Sequence, residues 1–199
     1  MKTNIKNILI LVIVLALIIG GVVFILTRNN SREEESGSKE TQVITGDSKV
    51  LVVYFSHTGT TREVAKHLND IVKGDLIELF PVNAYPSGYS DALEPAKKEQ
   101  RENARPELKT KIDNFDNYDV IYLGYPIWWG TVPMVINTFL ESYDFSGKTV
   151  IPFATSGGTG ISQSITDIKN EIPKADVKEG LLVRDNSDIE PWLKRIGMR

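Results

Sequence analysis

The sequence predicts an α/β fold, a doubly wound five-stranded parallel sheet preceded by a single transmembrane helix. Two observations support this prediction. Five apolar runs rich in β-branched residues alternate with segments of helical periodicity, which is typical of parallel strands covered by helices on both faces. Ahead of them, the run from Ile8 to Leu26 contains no charged or polar side chain.

The N-terminal apolar run is long enough to cross a membrane. Its 19 residues reach about 28 Å as a helix, close to the roughly 30 Å thickness of the hydrocarbon layer. A cleavable signal peptide is the alternative, but its apolar core would be about 7 to 15 residues long and end in small residues. A lipoprotein anchor is excluded because the chain has no cysteine. We therefore expect residues 1–27 to be an uncleaved membrane anchor.

The orientation of this anchor is less strongly encoded. Lys2 and Lys6 precede the run, and Arg28 and Arg32 follow it, so the positive charges are balanced. A very short N-terminal tail before a large C-terminal domain favours an N-terminus inside the cell. The soluble domain is then expected outside the cytoplasm.

A polar linker and one globular domain follow the anchor. Residues 28–48 include a glutamate triplet and Ser-Gly-Ser, and a flexible chain of this length spans on the order of 26 Å, which keeps the domain near the bilayer. Residues 49–199 are enough for one well-filled core. They carry 18 basic and 21 acidic residues, a net charge of −3, which gives no electrostatic case for nucleic acid.

The strands and helices are predicted from apolar periodicity. The expected strands are Val50–Phe55, Asp75–Phe80, Val120–Gly124, Thr149–Ala154 and Val177–Val183. The expected helices carry the apolar faces Val64/Leu68/Ile71/Val72, Met134–Tyr143, Ile161/Ile165/Ile168/Ile172 and Ile189/Trp192/Leu193/Ile196. Thr131 is a plausible cap of the Met134 helix, with Pro133 in its first turn, and Asp188 is the expected cap of the last helix.

The segment from Pro81 to Pro106 is the hardest to interpret. It opens with Tyr85-Pro86 and Ser87-Gly88, and Pro95 is expected to break the helical pattern that follows. We interpret Tyr85 and Tyr89 as packing residues of this segment in preference to ligand contacts.

A hydroxyl- and glycine-rich loop follows the first strand. It consists of Ser56, His57, Thr58, Gly59, Thr60 and Thr61. Hydroxyl donors, a glycine and a helix N-terminus together suit a phosphate, and the absence of lysine and arginine favours one held by neutral donors. Taken alone, the pattern is equally typical of an ordinary strand-to-helix loop with a good cap.

Two further loops are expected at the same edge of the sheet, where doubly wound folds bind ligands. The second loop contains Pro126, Ile127, Trp128, Trp129 and Gly130. Its indoles could stack on a planar ring, or the pair could instead plug the loop against the next helix. The third loop contains Thr155, Ser156, Gly157, Gly158, Thr159 and Gly160. Its glycines permit close approach of the backbone to a flat ligand.

Other α/β families lack support in these loops. A phosphoacceptor receiver domain needs acidic residues after the first strand and an aspartate at the end of the third. A P-loop nucleoside triphosphatase needs Gly-Lys-Ser/Thr after the glycines of its phosphate loop, and a dinucleotide-binding fold needs G-x-G-x-x-G in its first turn. None of these patterns occurs at the required position.

The three loops, in this order, resemble the FMN-binding loops of the flavodoxins, specifically a bacterial group with Pro-x-Trp-Trp-Gly in the second loop. The resemblance covers residues 49–199. It implies that the first loop binds the FMN phosphate and that the other two enclose the isoalloxazine ring. Three features depart from the family. Thr60 stands where many flavodoxins have asparagine, and the chain is only modestly acidic. The third is the membrane anchor, because a domain placed outside the cytoplasm would require exported FMN.

The resemblance implies an FMN protein that transfers electrons at the membrane surface to a redox partner protein or a quinone. Two alternatives stay open: an FMN-dependent NAD(P)H:quinone-type oxidoreductase, and a binding domain that keeps the fold without flavin. Because the flavin supplies the chemistry, we expect no catalytic side chain and no metal. His57 occupies a variable position of the first loop, and we expect it to be exposed to solvent.

Overall fold

The computed structural model of the chain describes residues 50–198. The predicted anchor and linker lie outside these residues. Within residues 50–198, every helix is too short or too polar to span a bilayer.

A parallel sheet forms the centre of the domain. Its strands are β1 Val50–Tyr54, β2 Asp75–Glu78, β3 Val120–Pro126, β4 Thr149–Thr155, β5 Asp176–Val177 and β6 Leu181–Leu182. They are ordered β2-β1-β3-β4-β5, and β6 also pairs with β4. The strand order reverses direction between β1 and β3, so the prediction of a doubly wound parallel sheet is confirmed.

The predicted fifth strand is divided into β5 and β6, and Pro152 of β4 accounts for the division. The Lys178 N–H donates to the Val150 carbonyl, so the next bond of a parallel ladder would run from residue 152 to the Lys178 carbonyl. Proline has no N–H to make this bond. Pairing resumes where Phe153 opposes Leu181, after one extra residue on the outer strand, which is a β-bulge.

In the part of the chain that the structure describes, five α-helices cover the two faces of the sheet. They are α1 Thr60–Val72, α2 Tyr89–Arg101, α3 Met134–Ser142, α4 Ser162–Glu171 and α5 Ile189–Arg195. Helices α1 and α5 pack with alternate residues of the strands, such as Val52 and Tyr54, in one buried cluster. The other three helices pack with the opposite alternation, such as Leu51 and Val53, in a second cluster.

The expectation that Pro95 breaks the helix is wrong, because α2 continues through it. A proline within a helix removes one bond, here the bond to the carbonyl of Asp91, four residues earlier. Both Asp91 and Pro95 are exposed, so water can satisfy that carbonyl. Ala92 and Ala96 of this helix are buried, and Ala96 belongs to the same core cluster as Leu51 and Val53, so tertiary packing keeps the helix intact.

One of the two predicted caps is wrong and the other is confirmed in position. Thr131 lies too far before α3 to cap it, and its hydroxyl donates to a carboxylate oxygen of Asp167 in α4. Asp188 is the N-cap residue of α5, as predicted, but its side chain makes no capping bond to that helix. Its carboxylate instead accepts from the Arg184 and Asp185 N–H groups and stabilises the short 3₁₀ turn Asn186–Asp188 that leads into α5. Both side chains therefore fix loops at the edge of the sheet where the candidate site lies.

Candidate functional site

The loops that follow β1, β3 and β4 meet at one edge of the sheet. The Thr61 and Thr155 hydroxyls lie 2.8 Å apart and join the first loop to the third. The Ile127 N–H donates to the Thr155 carbonyl at 2.8 Å and joins the second loop to the third. Together these loops line a groove of about 910 Å³, a size typical of small-molecule sites.

The first loop is shaped by Ser56. Its hydroxyl oxygen accepts hydrogen bonds from the Gly59 and Arg62 N–H groups, both at 3.2 Å, and Gly59 adopts a φ of 97°. A positive φ of this size is readily adopted by glycine. The Ser56 oxygen thus folds the loop, and Ser56 does not line the groove.

Several donors of the first loop are available to a ligand. The Thr58 and Thr60 hydroxyls are exposed and lie 3.5 Å from each other. The N–H groups of Thr60 and Thr61, at the first two positions of α1, form no hydrogen bond to any residue in the range 50–198. Such unpaired amides at a helix N-terminus attract anions.

The charge nearest to this loop is already paired. Arg62 donates from Nε and from a terminal nitrogen to the two carboxylate oxygens of Glu78, at 2.8 and 2.6 Å. Tyr54 also donates to Glu78. The hydrogen bonds to Glu78 raise the pKa of Arg62, whereas burial is the main cause that raises the pKa of Tyr54. The loop therefore presents neutral donors to the groove.

The second loop is a tight turn that separates its two tryptophans. Trp128 and Thr131 exchange two backbone hydrogen bonds, and Trp129 and Gly130 between them have φ values of 49° and 89°. Two consecutive positive φ angles define a type I′ turn. Because a tryptophan rarely adopts this conformation, other contacts must hold Trp129 in place.

Trp128 lies inside this edge of the sheet. It is 9% exposed and packs edge-on against Phe55 at 5.5 Å, Tyr85 at 5.0 Å and His57 at 5.7 Å between ring centroids. Its remaining surface lines the groove. The same indole thus packs the loop and lines the groove. Packing of the loop and contact with a ligand, the two interpretations that the sequence leaves open, are therefore compatible for Trp128.

Trp129 is held against helix α2. It is 43% exposed, and its indole N–H donates to the Leu93 carbonyl at 3.1 Å. The Lys97 ammonium lies 4.6 Å from its ring centroid, and the Gln100 amide donates to its backbone carbonyl at 3.3 Å. These contacts with α2 offset the strained backbone of the turn.

His57 does not have the environment that the sequence predicts. It is only half-exposed, and its ring packs edge-on against Tyr85 and Trp128, at 6.3 and 5.7 Å. Its Nε2 is buried and has no hydrogen-bond partner among residues 50–198. The expectation of solvent exposure is wrong because these two rings pack against the imidazole and its Nε2 is buried.

Tyr85 and Tyr89 behave differently from each other. Tyr85 packs against the core, and its hydroxyl donates to Glu99 at 2.7 Å; burial is the main cause that raises the pKa values of both groups. The packing prediction is therefore confirmed for Tyr85. It is wrong for Tyr89, which is 60% exposed and lines the groove.

The third loop leaves open space beside the groove. Ser156 accepts from the Gly158 and Thr159 N–H groups at 3.1 and 2.8 Å and so fixes the turn. A Cβ atom added to Gly157, Gly158 or Gly160 would meet nothing within 4 Å. The glycines are therefore not required by packing within the domain, and the space over them is accessible to a flat ligand.

Most of the predicted site residues line the groove or a smaller cavity of about 420 Å³ that adjoins it along the second and third loops. The groove is lined by His57, Thr58, Thr60, Thr61, Pro126, Ile127, Trp128, Thr155, Ser156, Gly157 and Gly158. Trp129, Gly130 and Thr159 line the adjoining cavity. Ser56, Gly59 and Gly160 line neither, although the first two shape the first loop.

A fourth segment that lines the groove, from Leu182 to Asn186, is not among the predicted site residues. It starts at the last residue of β6, so its position at the carboxyl edge of the sheet is a signal that could have revealed it. Among the described residues that line the groove, Arg184 is the one basic side chain of the lysine or arginine type. Its guanidinium has no partner among the described residues. The neighbouring Asp185 has a lowered pKa because Ser187 donates hydrogen bonds to it. Glu63, Val64, Tyr89 and Leu93 were missed as well.

The arrangement of donors and apolar surfaces fits FMN. One part of the groove offers neutral hydroxyls and free helix amides to a phosphate, and another offers an indole and bare glycine backbone to a planar ring. Among residues 50–198, no group of three or more histidines or carboxylates lies where it could hold a metal ion.

Comparison with known proteins supports this fit. A candidate flavoprotein from Bacteroides eggerthii is 42% identical, with a TM-score of 0.70 over 77% of this chain and 100% of its own. A second, from Bacteroides uniformis, is 38% identical, with a TM-score of 0.68 over 74% of this chain and 98% of its own. A flavoprotein from Lactobacillus acidophilus, solved in complex with FMN, is 25% identical, with a TM-score of 0.62 over 73% and 98% of the two chains.

Among curated proteins, none matches this chain significantly. The family model for flavodoxin matches residues 49–196, which is most of the chain. The relatives from both Bacteroides species are matched along nearly their whole length. On this evidence, the chain belongs to the flavodoxin family.

Proposed function

We propose that this protein binds FMN in the groove at the carboxyl edge of its sheet and transfers electrons at a membrane surface. The observation that carries the proposal is the meeting of three loops, from β1, β3 and β4, around one groove. Their chemistry is complementary, with phosphate donors in the first loop and surfaces for a planar ring in the other two. The FMN bound to the Lactobacillus acidophilus relative supports the choice of ligand.

The first loop holds the phosphate in this proposal. The Thr58 and Thr60 hydroxyls and the amides of Thr60 and Thr61 are the free donors. Thr61 is 2% exposed, and its hydroxyl is engaged with Thr155, so its unpaired amide is the donor that this residue contributes. The positive end of the α1 dipole adds to this attraction for an anion.

The second and third loops hold the ring. Trp128 supplies an aromatic surface, and the backbone of Gly157 and Gly158 allows close approach without side chains. When bound, FMN supplies the one- and two-electron redox chemistry. The protein binds it, orients it and limits its contact with water. Because Gly157 and Gly158 are exposed, the edge of the site stays open to a redox partner protein or a membrane quinone.

The location of this activity follows from the sequence outside the described residues. The uncharged run Ile8–Leu26 is proposed to anchor the chain, and the polar linker keeps the domain within a few tens of ångströms of the bilayer. We propose that the domain lies on the extracytoplasmic side of this membrane.

A second candidate function is an FMN-dependent NAD(P)H:quinone-type oxidoreductase. The cavity of about 420 Å³ beside the groove favours it, since aromatic and apolar side chains line a space large enough for a second planar ligand. An enzyme of this kind oxidises the nicotinamide and reduces the quinone through the flavin, with two electrons passing in each step.

One experiment separates the carrier from the enzyme. The purified protein is loaded with FMN, and NAD(P)H oxidation is followed with and without a soluble quinone, against the same concentration of free FMN as control. A carrier accepts electrons from dithionite but shows no saturable turnover with NAD(P)H. Saturable turnover well above the free-flavin rate would identify the oxidoreductase. A folded protein that binds no FMN would instead support the non-enzymatic binding domain.

A further inference from the structure

Trp129 is not free to cover the outer face of a ligand in the site. Its indole N–H is bonded to the Leu93 carbonyl, and the Lys97 ammonium lies over its ring. Moving the indole over the groove would break both contacts. The second loop therefore contributes Trp128, which is largely buried, as its ring surface.

The third loop cannot supply the outer wall either. It contains serine, threonine and glycine between Thr155 and Gly160, and no aromatic residue. Gly157 and Gly158 have open space above them. A planar ring placed against Trp128 and this loop would thus have one face without a side chain to cover it.

Tyr89 is the aromatic side chain that remains at this edge. It begins α2, is 60% exposed, and borders both the groove and the adjoining cavity, so it stands where the two meet. Its phenol has no hydrogen-bond or ring partner among the described residues. A large apolar ring without packing partners, at the opening of a groove, is a candidate ligand contact.

The backbone that carries Tyr89 is fixed while its side chain is not. Helix α2 is held by the buried Ala92 and Ala96, by the bond between Tyr85 and Glu99, and by the bond from Trp129 to Leu93. The phenol can therefore change rotamer without any movement of the helix. The tyrosine side chain has only two torsions, about the Cα–Cβ and Cβ–Cγ bonds, so fixing it in one rotamer loses little conformational entropy.

We infer that Tyr89 is the outer stacking wall of the site, which closes over the flavin ring on the solvent side while Trp128 lines the inner side. This wall comes from the helix that follows β2, because the third loop contains no aromatic residue. The inference rests on the proposed function and deepens it. If Tyr89 forms this wall, binding of the flavin ring depends on α2, a helix for which the sequence predicts no ligand contact.

The inference predicts a ring-specific loss of binding. The sample is flavin-free full-length protein purified in detergent. Tyr89→Ala should lower the affinities for FMN and riboflavin by the same factor, about 5- to 150-fold, because stacking on an aromatic side chain contributes about 1–3 kcal/mol. Tyr89→Phe should bind both flavins within about threefold of the wild type. Quenching of flavin fluorescence at saturation should decrease in Tyr89→Ala and persist in Tyr89→Phe.

The matched control is Phe80→Ala, which removes another exposed aromatic ring, 47% exposed and outside both cavities. It should leave both affinities unchanged, and far-ultraviolet circular dichroism should show that each variant is folded. Wild-type affinities in Tyr89→Ala, or a loss confined to FMN, would overturn the inference while the proposed function stands. If the wild type binds neither flavin, the proposed function and this inference fail together.

Discussion

Trp128 and Trp129 are adjacent in the chain, yet their truncation should have very different effects on the stability of the flavin-free domain. Trp128 is 9% exposed, and its indole packs edge-on against three aromatic rings with 5.0 to 5.7 Å between ring centroids. Replacing such a buried indole with alanine costs about 3–5 kcal/mol, because the lost contacts leave a cavity. For a domain of this size, that loss lowers the melting temperature by about 6–20 °C.

The expected loss for Trp129→Ala is smaller. The bond to the Leu93 carbonyl contributes about 0.5–1.5 kcal/mol, and an exposed cation–π contact such as that with Lys97 contributes about 0.5–1 kcal/mol. Together they amount to about 1–2.5 kcal/mol. The strain of the positive φ does not enter this difference, since alanine at this position of the turn bears it as well.

The assay is urea denaturation of flavin-free residues 49–199, a fragment that contains the whole stretch matched by the flavodoxin family model. Circular dichroism reports the midpoint for the wild type, Trp128→Ala and Trp129→Ala, and FMN titrations of the same samples report binding. At least one of the two variants should also lose FMN affinity, by about 1–3 kcal/mol if its indole stacks on the ring. Equal destabilisation by both variants, or a Trp128→Ala midpoint at the wild-type value, would refute the packing argument. Unchanged FMN affinity in both would refute the stacking claim.

The remaining predictions concern the phosphate, the groove's cation and the membrane. Thr58→Ala should weaken the binding of FMN about tenfold or more and leave the binding of riboflavin unaffected, because a hydrogen bond to a charged group contributes about 1.5–3 kcal/mol. The control is Thr166→Ala, on the exposed side of α4. Equal losses of affinity for both flavins would contradict the assignment of Thr58 to the phosphate. Arg184→Gln should reduce the salt dependence of FMN binding, measured by titration from low to high ionic strength, since an unpaired charge in the groove attracts the phosphate; an unchanged salt dependence would exclude that role. The full-length chain should fractionate with membranes, resist extraction by salt and alkali, and release its domain when protease is added to cells stripped of their wall; a fragment protected until lysis would reverse the orientation.

The sequence predicts the sheet and its loops well because these depend on strong local signals. Uninterrupted apolar strands fix a buried parallel sheet, and the loops after β1, β3 and β4 then meet at one edge whatever the details of packing. The prediction fails where a neighbouring strand or helix decides the outcome. Pro152 divides the fifth strand from across the ladder, and the packing of α2 overrides Pro95.

The same distinction holds within the candidate site. His57 and Trp128 are enclosed by Tyr85, which lies far from the second loop in the chain and is brought there by tertiary packing alone. Arg184 and Tyr89 join the groove from segments that carry no phosphate or ring motif. Residues of this kind become visible once the strand order is known, because each follows a strand at the carboxyl edge of the sheet or begins the helix after one.

Equilibrium titration of the flavin-free protein with FMN and, in parallel, with riboflavin decides whether the groove is an FMN site. We expect saturable uptake of one FMN per chain, a change in the visible flavin spectrum, and weaker binding of riboflavin, which lacks the phosphate that we assign to the first loop. A protein shown to be folded by circular dichroism that takes up no FMN at any concentration tested would contradict it.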